Sequence, residues 1–234
     1  MNFVAGVYSS MGRKNINEDS VLLQRLKLRF GELCLAVVAD GISSLSEGEI
    51  ASGYVVERVS KTLFETIIPL LNRGITLKGV IDELEDCFYD TYAKMVEYGE
   101  MKQIKLGTTM TVCLMYKRRL LIFHLGDSVA VLVKSKEIKR LTDIHCNEDG
   151  SLNRCMGNYV YYKPQVYLGR LRKGAGLLIA SDGFYRSIEE RLGMFMSKEI
   201  NSEAIIEKRL KQAGEIVAKE GNGDNASAIY VRCV

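Results

Sequence analysis

Carboxylates at the ends of apolar segments are the most distinctive chemical feature of this sequence. Each lies beside a glycine and at one end of a run whose aliphatic and β-branched residues predict a buried strand. They are Asp40, Asp127, Asp182 and Asp224. An acidic residue and a glycine after a strand often form only a turn. Four such places, with the Gly41 carbonyl as a further oxygen ligand, instead predict a site for Mg²⁺ or Mn²⁺, which prefer oxygen ligands.

A polar segment, residues 10–19, separates two predicted strands near the start of the chain. It contains two cations, Arg13 and Lys14, and two carboxylates, one of which is Glu18. Taken alone, such a segment is typical of a solvated turn. Beside Asp40 it predicts that Arg13 or Lys14 binds a phosphate, because cations form charge-assisted hydrogen bonds with phosphate oxygens. It also predicts that Glu18 is a metal ligand.

Composition favours one compact globular domain over residues 1–234. Apolar residues make up 47% of the chain, charged residues 26%, and there are two prolines. The net charge of +3 is small, and the basic clusters 117–119 and 170–173 fall at predicted hairpin turns, so no nucleic acid is expected as a partner. Six cysteines without a C-x-x-C pair favour reduced thiols. Without a leader-like or membrane-spanning run, a cytoplasmic monomer with no membrane partner is expected.

Hydrophobic periodicity predicts helices over 48–68 and 76–98, one helix after Asp182, and another that Asn201 or Ser202 would cap. The predicted strands are apolar or alternating segments between turn residues, at 3–9, 20–28, 34–40, 109–116, 120–125, 129–134, 159–168, 176–181 and 226–233. Grouped strands with helices between the groups indicate an α+β protein with mainly antiparallel sheets. An α-β-β-α sandwich, two sheets face to face with helices outside, would bury all these apolar faces.

The order of these motifs resembles that of the metal-dependent type-2C Ser/Thr protein phosphatases in their compact bacterial form. The matching segments span nearly the whole chain: Asn17-Glu18-Asp19, Val38-Ala39-Asp40-Gly41, Gly48-Glu49-Ile50-Ala51-Ser52, Gly107-Thr108-Thr109, Gly126-Asp127-Ser128, Ser181-Asp182-Gly183 and Gly223-Asp224-Asn225. The resemblance implies a β-sandwich flanked by helices, with a metal centre at one end of the sheets.

The resemblance also implies two bound ions, Mn²⁺ or Mg²⁺, and their ligands. Asp40 would bridge both ions. Glu18 and the Gly41 carbonyl would complete one site. Asp182 and Asp224 would complete the other, which makes these two residues and Asp40 the expected catalytic residues. Two such ions about 3.5–4 Å apart can turn a bridging water into hydroxide and screen the charge on the phosphoryl oxygens.

The chain departs from the family pattern at the phosphate-binding position. The family has an arginine three residues before the Asn-Glu-Asp triplet, where this chain has Lys14, with Arg13 one residue earlier. Either Lys14 replaces the arginine as a point charge, or a shift of one residue brings Arg13 to the phosphate. Ile42 also follows the Asp-Gly pair, where eukaryotic members often have a histidine.

A second departure concerns a third metal ion, for which Asp127 is the candidate ligand. Many members have another aspartate four residues after Asp182, but here that position is Arg186. A guanidinium would repel a further cation, so two ions are expected. His124 and His145 are expected to be structural rather than proton donors.

The expected function is hydrolysis of phosphoserine and phosphothreonine in a phosphorylated protein, with a Ser/Thr kinase or its targets as partner. The segment 144–165 is expected to overhang the site and govern substrate choice. The alternative is a catalytically weak phosphatase-fold module that binds a phosphoprotein or signalling partner. Such a module would be expected to lose metal ligands, and all five positions survive here, which favours the enzyme. A nucleotide or small-molecule phosphatase stays open, because its metal chemistry would be identical.

Overall fold

The computed structural model describes residues 2–134, 137–157, 160–196, 200–221 and 223–234. Its strands are β1 (Phe3–Ser10), β2 (Asp19–Leu28), β3 (Gly31–Asp40), β4 (Met110–Tyr116), β5 (Arg119–Leu125), β6 (Val129–Lys134), β7 (Glu137–Arg140), β8 (Gln165–Arg170), β9 (Gly176–Ala180) and β10 (Ala226–Cys233). They form two five-stranded sheets with the orders β1-β10-β9-β6-β7 and β2-β3-β4-β5-β8. Neighbouring strands in both sheets are antiparallel.

Strand β3 contributes to two layers of the core, because successive side chains on a strand point to opposite faces of the sheet. Ala36 and Val38 lie in the core between the two sheets, together with residues of β5, β9 and β10. Leu35 and Val37 lie in a second core on the outer face of their sheet. The unbroken apolar run before Asp40 is therefore the pattern of a strand that is covered on both faces.

Helices cover the outer face of each sheet. They are α1 (Gly48–Thr62), α2 (Ile68–Asn72), α3 (Leu77–Lys102), α4 (Asp182–Ile188), α5 (Leu192–Met196) and α6 (Glu203–Glu220). Val55 of α1 and Phe88 of α3 pack in the outer core of the second sheet. Phe184 of α4 and Ile206 of α6 pack in the core on the outer face of the first sheet. The expected α-β-β-α sandwich is confirmed, and the assignment of residues 1–234 to a single domain stays a prediction.

The first predicted helix, 48–68, is interrupted and extends further than expected. A π-helical turn, Leu63–Ile67, separates α1 from α2. Pro69 lies at the start of α2 and explains the interruption, because proline lacks an N–H and its ring collides with the carbonyl four residues earlier in a regular α-helix. The second predicted helix, 76–98, continues to Lys102.

The predicted strand 159–168 differs most from the structure. Among the described residues β8 begins at Gln165, and Tyr159 lies outside them. Pro164 has no N–H to donate to β5, so strand pairing begins only after it. Strand β7 was not predicted, because its four side chains are all exposed and give no apolar alternation.

The helices predicted in the last third of the chain are present. Helix α4 begins at Asp182, and α6 begins directly after Ser202. In the described part of the chain, no helix combines the length and the apolar character that crossing a bilayer requires.

Candidate active site

The acidic residues singled out in the sequence meet at one end of the sandwich, around a cavity of about 730 Å³. Asp40 ends β3, and Asp127 lies in the turn between β5 and β6. Asp182 begins α4 soon after β9 ends, and Asp224 lies shortly before β10. Lys14 lines the same cavity. Both sheets therefore contribute carboxylates to one site, together with a cation.

Two threonines fix Asp40 at the end of β3. The Asp40 N–H donates to Thr109 Oγ1 over 3.0 Å. The Asp40 carbonyl accepts from the Thr109 N–H over 2.8 Å and from Thr108 Oγ1 over 2.9 Å. These hydrogen bonds explain the Gly107-Thr108-Thr109 motif: it holds the backbone of Asp40 and so sets the direction of its side chain.

The carboxylates destabilise one another's charged forms. Burial raises the pKa of Asp40 well above its ordinary value, and the charges of Asp19, Asp182 and Asp127 raise it further. Burial also raises the pKa of Asp127 to about 6, with the charge of Asp182 adding to the shift. Like charges in a desolvated site need protons or cations to compensate them. The site is therefore built for positive charge.

Asp19 also belongs to this cluster, although the sequence pattern predicts no role for it. It lies directly opposite Asp40 in the β2–β3 register, and its Oδ2 accepts a hydrogen bond from Ser181 Oγ over 3.0 Å. Burial raises its pKa to about 6. Its Oδ1 is buried and has no hydrogen-bond partner among the described residues. The sequence does contain a signal for Asp19: it belongs to the Asn-Glu-Asp triplet at the start of β2. Pairing of β2 with β3 then places it opposite Asp40.

Glu18 and Gly41 provide oxygen donors that lie side by side near the start of α1. The Gly41 N–H donates to the Glu18 carbonyl over 3.1 Å, and the Ser43 hydroxyl donates to the Glu18 carboxylate. A Cβ added at Gly48 would lie 2.6 Å from Glu18 Oε1 and 3.2 Å from the Gly41 carbonyl carbon. A Cβ at Gly41 would collide with the Gly48 carbonyl. Both glycines are therefore needed for this close approach of the two chain segments.

Of the two cations predicted to bind phosphate, Lys14 is the one that the structure brings to the carboxylates. Its Nζ lies 3.3 Å from Asp224 Oδ1. The Arg13 N–H instead donates to the Gly223 carbonyl over 2.8 Å. The Arg13 guanidinium lies so close to Gly223 that a Cβ there would collide with it. Arg13 thus packs against the loop before β10.

Asn225 holds the segment between β1 and β2 against the loop that carries Asp224. Its side-chain amide donates to the Met11 carbonyl over 2.9 Å and to the Ile16 carbonyl over 3.0 Å. Its Oδ1 accepts from the Glu18 N–H over 2.9 Å. One side chain therefore fixes the position of both Lys14 and Glu18 relative to the rest of the site.

Arg186 bridges two carboxylates. Its Nη2 lies 3.0 Å from Asp182 Oδ2 and 3.6 Å from Asp127 Oδ2. Arg186 and Asp182 are four residues apart on α4, the spacing at which helical side chains meet. The side chain of Arg186 is 64% exposed, whereas those of Asp127 and Asp182 are 12% and 19% exposed. The guanidinium therefore covers these carboxylates on their solvent side.

The donor set fits divalent cations of the Mg²⁺ or Mn²⁺ kind. Its members are oxygen donors that repel one another in a buried site, with the orphaned Asp19 Oδ1 among them. Within the described ranges, no three His, Cys, Asp or Glu side chains are grouped so that they could hold an ion as they stand. Two of the carboxylates are paired with protein cations: Asp224 with Lys14, and Asp182 with Arg186. Protein cations thus compensate carboxylates that would turn towards metal ions.

Two histidines hold the turn between β5 and β6. His124 Nε2 lies 3.0 Å from the Gly126 carbonyl and 2.9 Å from the Asp143 carbonyl. Because carbonyl oxygens only accept, Nε2 carries the proton, and Nδ1 accepts from the Thr111 hydroxyl over 2.9 Å. His145 Nδ1 accepts from the Gly126 N–H over 3.1 Å. These contacts agree with the structural roles expected for both histidines.

Comparison with known proteins identifies the family. The family model described as "Protein phosphatase 2C" matches residues 8–214, and the chain belongs to this family. A Mycoplasma genitalium protein, named as a candidate protein phosphatase, is 27% identical over 208 residues, 76% of this chain and 75% of the relative. The serine/threonine phosphatase stp of Listeria welshimeri is 27% identical over 113 residues, 47% of this chain and 43% of the relative. The structure of the S. agalactiae serine/threonine phosphatase matches with a TM-score of 0.84 and 19% identity, covering 100% of both chains, and shows the same fold.

Proposed function

We propose that this protein is a metal-dependent serine/threonine protein phosphatase that hydrolyses phosphoserine and phosphothreonine with a water activated by two ions. One observation carries the proposal: carboxylates from both sheets converge on a cavity that Lys14 also lines. The carboxylates suit the ions, and the lysine suits a phosphate. Membership in the protein phosphatase 2C family and the names of the Listeria and S. agalactiae relatives support this reaction.

Two ions, Mn²⁺ or Mg²⁺, would be held by the oxygen donors described above. Asp40 would bridge them, with Glu18 and the Gly41 carbonyl on one ion. Asp182 and Asp224 would bind the other ion. When bound, such ions acidify a water that attacks phosphorus and compensate the charge that develops on the phosphoryl oxygens.

The protein's own groups position these donors and bind the substrate. Thr109 and Asp19 flank Asp40 and restrict its movement. Lys14, whose Nζ lies 3.3 Å from Asp224 Oδ1, would donate charge-assisted hydrogen bonds to the substrate phosphate. Ile42 carries no dissociable proton and would therefore not protonate the departing serine or threonine oxygen.

The proposed partner is a phosphorylated protein, either a Ser/Thr kinase or one of its targets, in the cytoplasm. We place neither nucleic acid nor membrane among the partners, and propose that the protein acts as a monomer. The small net charge of +3 supports the absence of nucleic acid.

The rival function is a catalytically weak module that binds a phosphoprotein or signalling partner. The ion pairs Lys14–Asp224 and Arg186–Asp182 favour it, because they occupy groups that an enzyme would use for phosphate and metal. The retention of all five expected ligand positions favours the enzyme. If Mn²⁺ binds strongly enough to displace these ion pairs, the enzyme is favoured; if it does not, the binding module is favoured.

The experiment is hydrolysis of an aryl phosphate and of a phosphoserine peptide across a Mn²⁺ titration, with a chelator control. Turnover that depends on Mn²⁺ and disappears in Asp40→Asn supports the enzyme. Asp82→Asn, an exposed acid of α3, is the matched control and should keep full turnover. Phosphopeptide binding without turnover at any Mn²⁺ concentration would establish the binding module instead.

A further inference from the structure

The cavity that contains the carboxylates continues well beyond them. A volume of about 730 Å³ is within the range of sites for drug-sized ligands. A phosphate group needs far less, on the order of a few water volumes of about 30 Å³ each. The remainder extends along the C-terminal end of α3 and the loop after it, and beneath the segment 150–157. Something larger than a phosphate is needed to fill it.

Besides the carboxylates, the cavity is lined by a group of aliphatic and thioether side chains. We call the part that they line the apolar arm, defined by Leu45, Met95, Val96, Ile104 and Leu106. Glu100, Gln103 and Lys105 form a polar rim beside it. Among the described residues that line the cavity, none is aromatic, so a nucleobase would find no ring on which to stack. The lining instead suits an apolar side chain.

The walls of the arm are joined by backbone hydrogen bonds. The Ile42 N–H donates to the Gly107 carbonyl, and the Ser46 N–H to the Lys105 carbonyl, each over 2.9 Å. Thr108 and Met156 exchange two hydrogen bonds, of 3.0 and 2.9 Å. The loop after Asp40, the loop after α3 and the overhanging segment thus form one connected frame. A ligand would enter a preformed site rather than order a loose one.

Two glycines let these walls approach one another. A Cβ at Gly107 would lie 3.1 Å from a methyl carbon of Leu45, which is tighter than ordinary contact. A Cβ at Gly157 would lie 2.6 Å from Met95 Cε, and Gly157 also has a positive φ of 94°. The arm therefore depends on close packing between α3, the loop after Asp40 and the segment above them.

We propose that the apolar arm binds an apolar side chain of the substrate protein, near the phosphorylated residue in its sequence. The proposal rests on the proposed function, since it takes Lys14 and the carboxylates as the phosphate end of the same cavity. The acidic end and the apolar arm belong to one continuous cavity. A peptide segment that has a phosphate at one residue and an apolar side chain nearby would fill both parts. The rim residues Glu100 and Gln103 can accept hydrogen bonds from the amide groups of a polypeptide, and Gln103 can also donate them.

The test uses phosphoserine peptides in which a single leucine is moved through the positions on either side of the phosphoserine, with a leucine-free parent. For each peptide, kcat/KM is measured with Mn²⁺, and Kd is measured by fluorescence anisotropy on the Asp40→Asn protein. We expect leucine at one or two positions to raise kcat/KM by about tenfold, the usual discrimination of an apolar pocket. The same positions should lower Kd.

Variants of the arm show whether the effect arises there. In Ile104→Asn the ratio of kcat/KM between the leucine peptide and its parent should fall towards one. Ile75→Asn makes the same change at an isoleucine that is 40% exposed between α2 and α3, and should keep the full ratio. Val96→Thr is nearly isosteric and is therefore expected to fold, which melting curves check. It should lower the ratio of kcat/KM between the leucine peptide and its parent by a smaller amount.

The outcomes separate the arm from the catalytic assignment. Equal kcat/KM and Kd for leucine peptides and parent at every position would overturn the arm, as would an equal loss of the ratio in Ile75→Asn. A nucleotide that is hydrolysed with the kcat/KM of the best peptide would overturn the peptide as occupant. Leucine-dependent Kd without turnover of any phosphate ester would support the arm and overturn the proposed catalysis.

Discussion

Arg186 and Asp182, one helical turn apart on α4, form an ion pair of 3.0 Å at the solvent-facing side of the acidic cluster. The same guanidinium reaches Asp127, the remaining carboxylate on that side, at 3.6 Å. Arginine keeps its proton at any working pH, so this positive charge is permanent. A cation that belongs to the protein therefore occupies the place beside Asp127.

This arrangement predicts that the protein binds two Mn²⁺ ions and that Arg186→Asp creates a third, weaker site. Removing the guanidinium removes repulsion, and the new carboxylate adds an oxygen donor beside Asp127. Equilibrium dialysis with Mn²⁺ detected by electron paramagnetic resonance counts the ions. Arg191→Asp, which breaks a surface pair with Glu220, is the matched control and should leave the count at two. Three ions bound by the unaltered protein would show that Arg186 does not limit the site.

Asp40→Asn should lower kcat by about a thousandfold or more while the metal-free protein melts at an equal or higher temperature. The first effect follows from the proposed role of Asp40, because a carboxylate that bridges two ions would serve both. The second follows because the variant removes one of several buried charges that repel one another. Asp182→Asn and Asp224→Asn should lower kcat in the same way but should not raise the melting temperature, because these carboxylates are paired with Arg186 and Lys14. Turnover within a few-fold of the unaltered protein, or loss of the folded state, contradicts this assignment.

Lys14→Ala should raise KM for an aryl phosphate by about tenfold, because a positioned ammonium forms charge-assisted hydrogen bonds with phosphate. Arg13→Ala should change KM little, since its guanidinium packs against Gly223 outside the cavity lining. The comparison of the two variants is its own control, because each removes one positive charge from the same loop. A larger effect from Arg13→Ala would place that residue at the phosphate, and small equal effects would leave phosphate binding to the metal ions.

His124 should make the stability of the protein depend on pH. Burial lowers its pKa from 6.5 to about 4, so the unfolded chain takes up the proton first as the pH falls. The contribution of neutral His124 is thus fully present above about pH 6.5 and lost progressively down to about pH 4, to a total of about 3 kcal/mol.

The carboxylates act in the opposite direction, because burial raises the pKa of Asp19 and Asp127 to about 6 and the folded state then takes up protons first. The informative quantity is therefore the difference in unfolding free energy between the unaltered protein and His124→Gln, measured by denaturant titration without metal. That difference should shrink as the pH falls from 7 to 4.5. If the unfolding free energies of the two proteins change in parallel with pH, His124 is protonated equally in the folded and unfolded states.

The acidic part of the site can be predicted from the sequence, because a carboxylate directly after an apolar run marks the end of a buried strand. Asp40, Asp127 and Asp182 were all identified from such runs, and the structure brings them together. The choice between Lys14 and Arg13 depends on the path of the loop, including a positive φ of 63° at Gly12, which a pattern of residues does not encode. Asp19 was missed because its importance arises only when β2 pairs with β3.

The apolar arm could not be predicted from sequence patterns either. Met95 and Leu106 are buried core residues that also line the cavity, and a pattern of apolar residues does not distinguish these two situations. The π-helical turn before Pro69 could have been anticipated from the proline itself. Strand β7 could not, since exposed polar residues in a strand follow no apolar period.

The pairing of β1 with β10 sets the order of events during synthesis. Strand β1 is made early but finds its partner only after β10 has been made, since Phe3 pairs with Cys233 and Ser10 with Ala226. At 5–20 residues per second this interval is roughly 10 to 40 s. The second sheet, complete at Arg170, has all its strands long before then, whereas β1 waits as an unpaired edge that other chains could join. The segment that carries Asp224 and β10 is therefore made after all the other strands, and until then β1 lacks its partner.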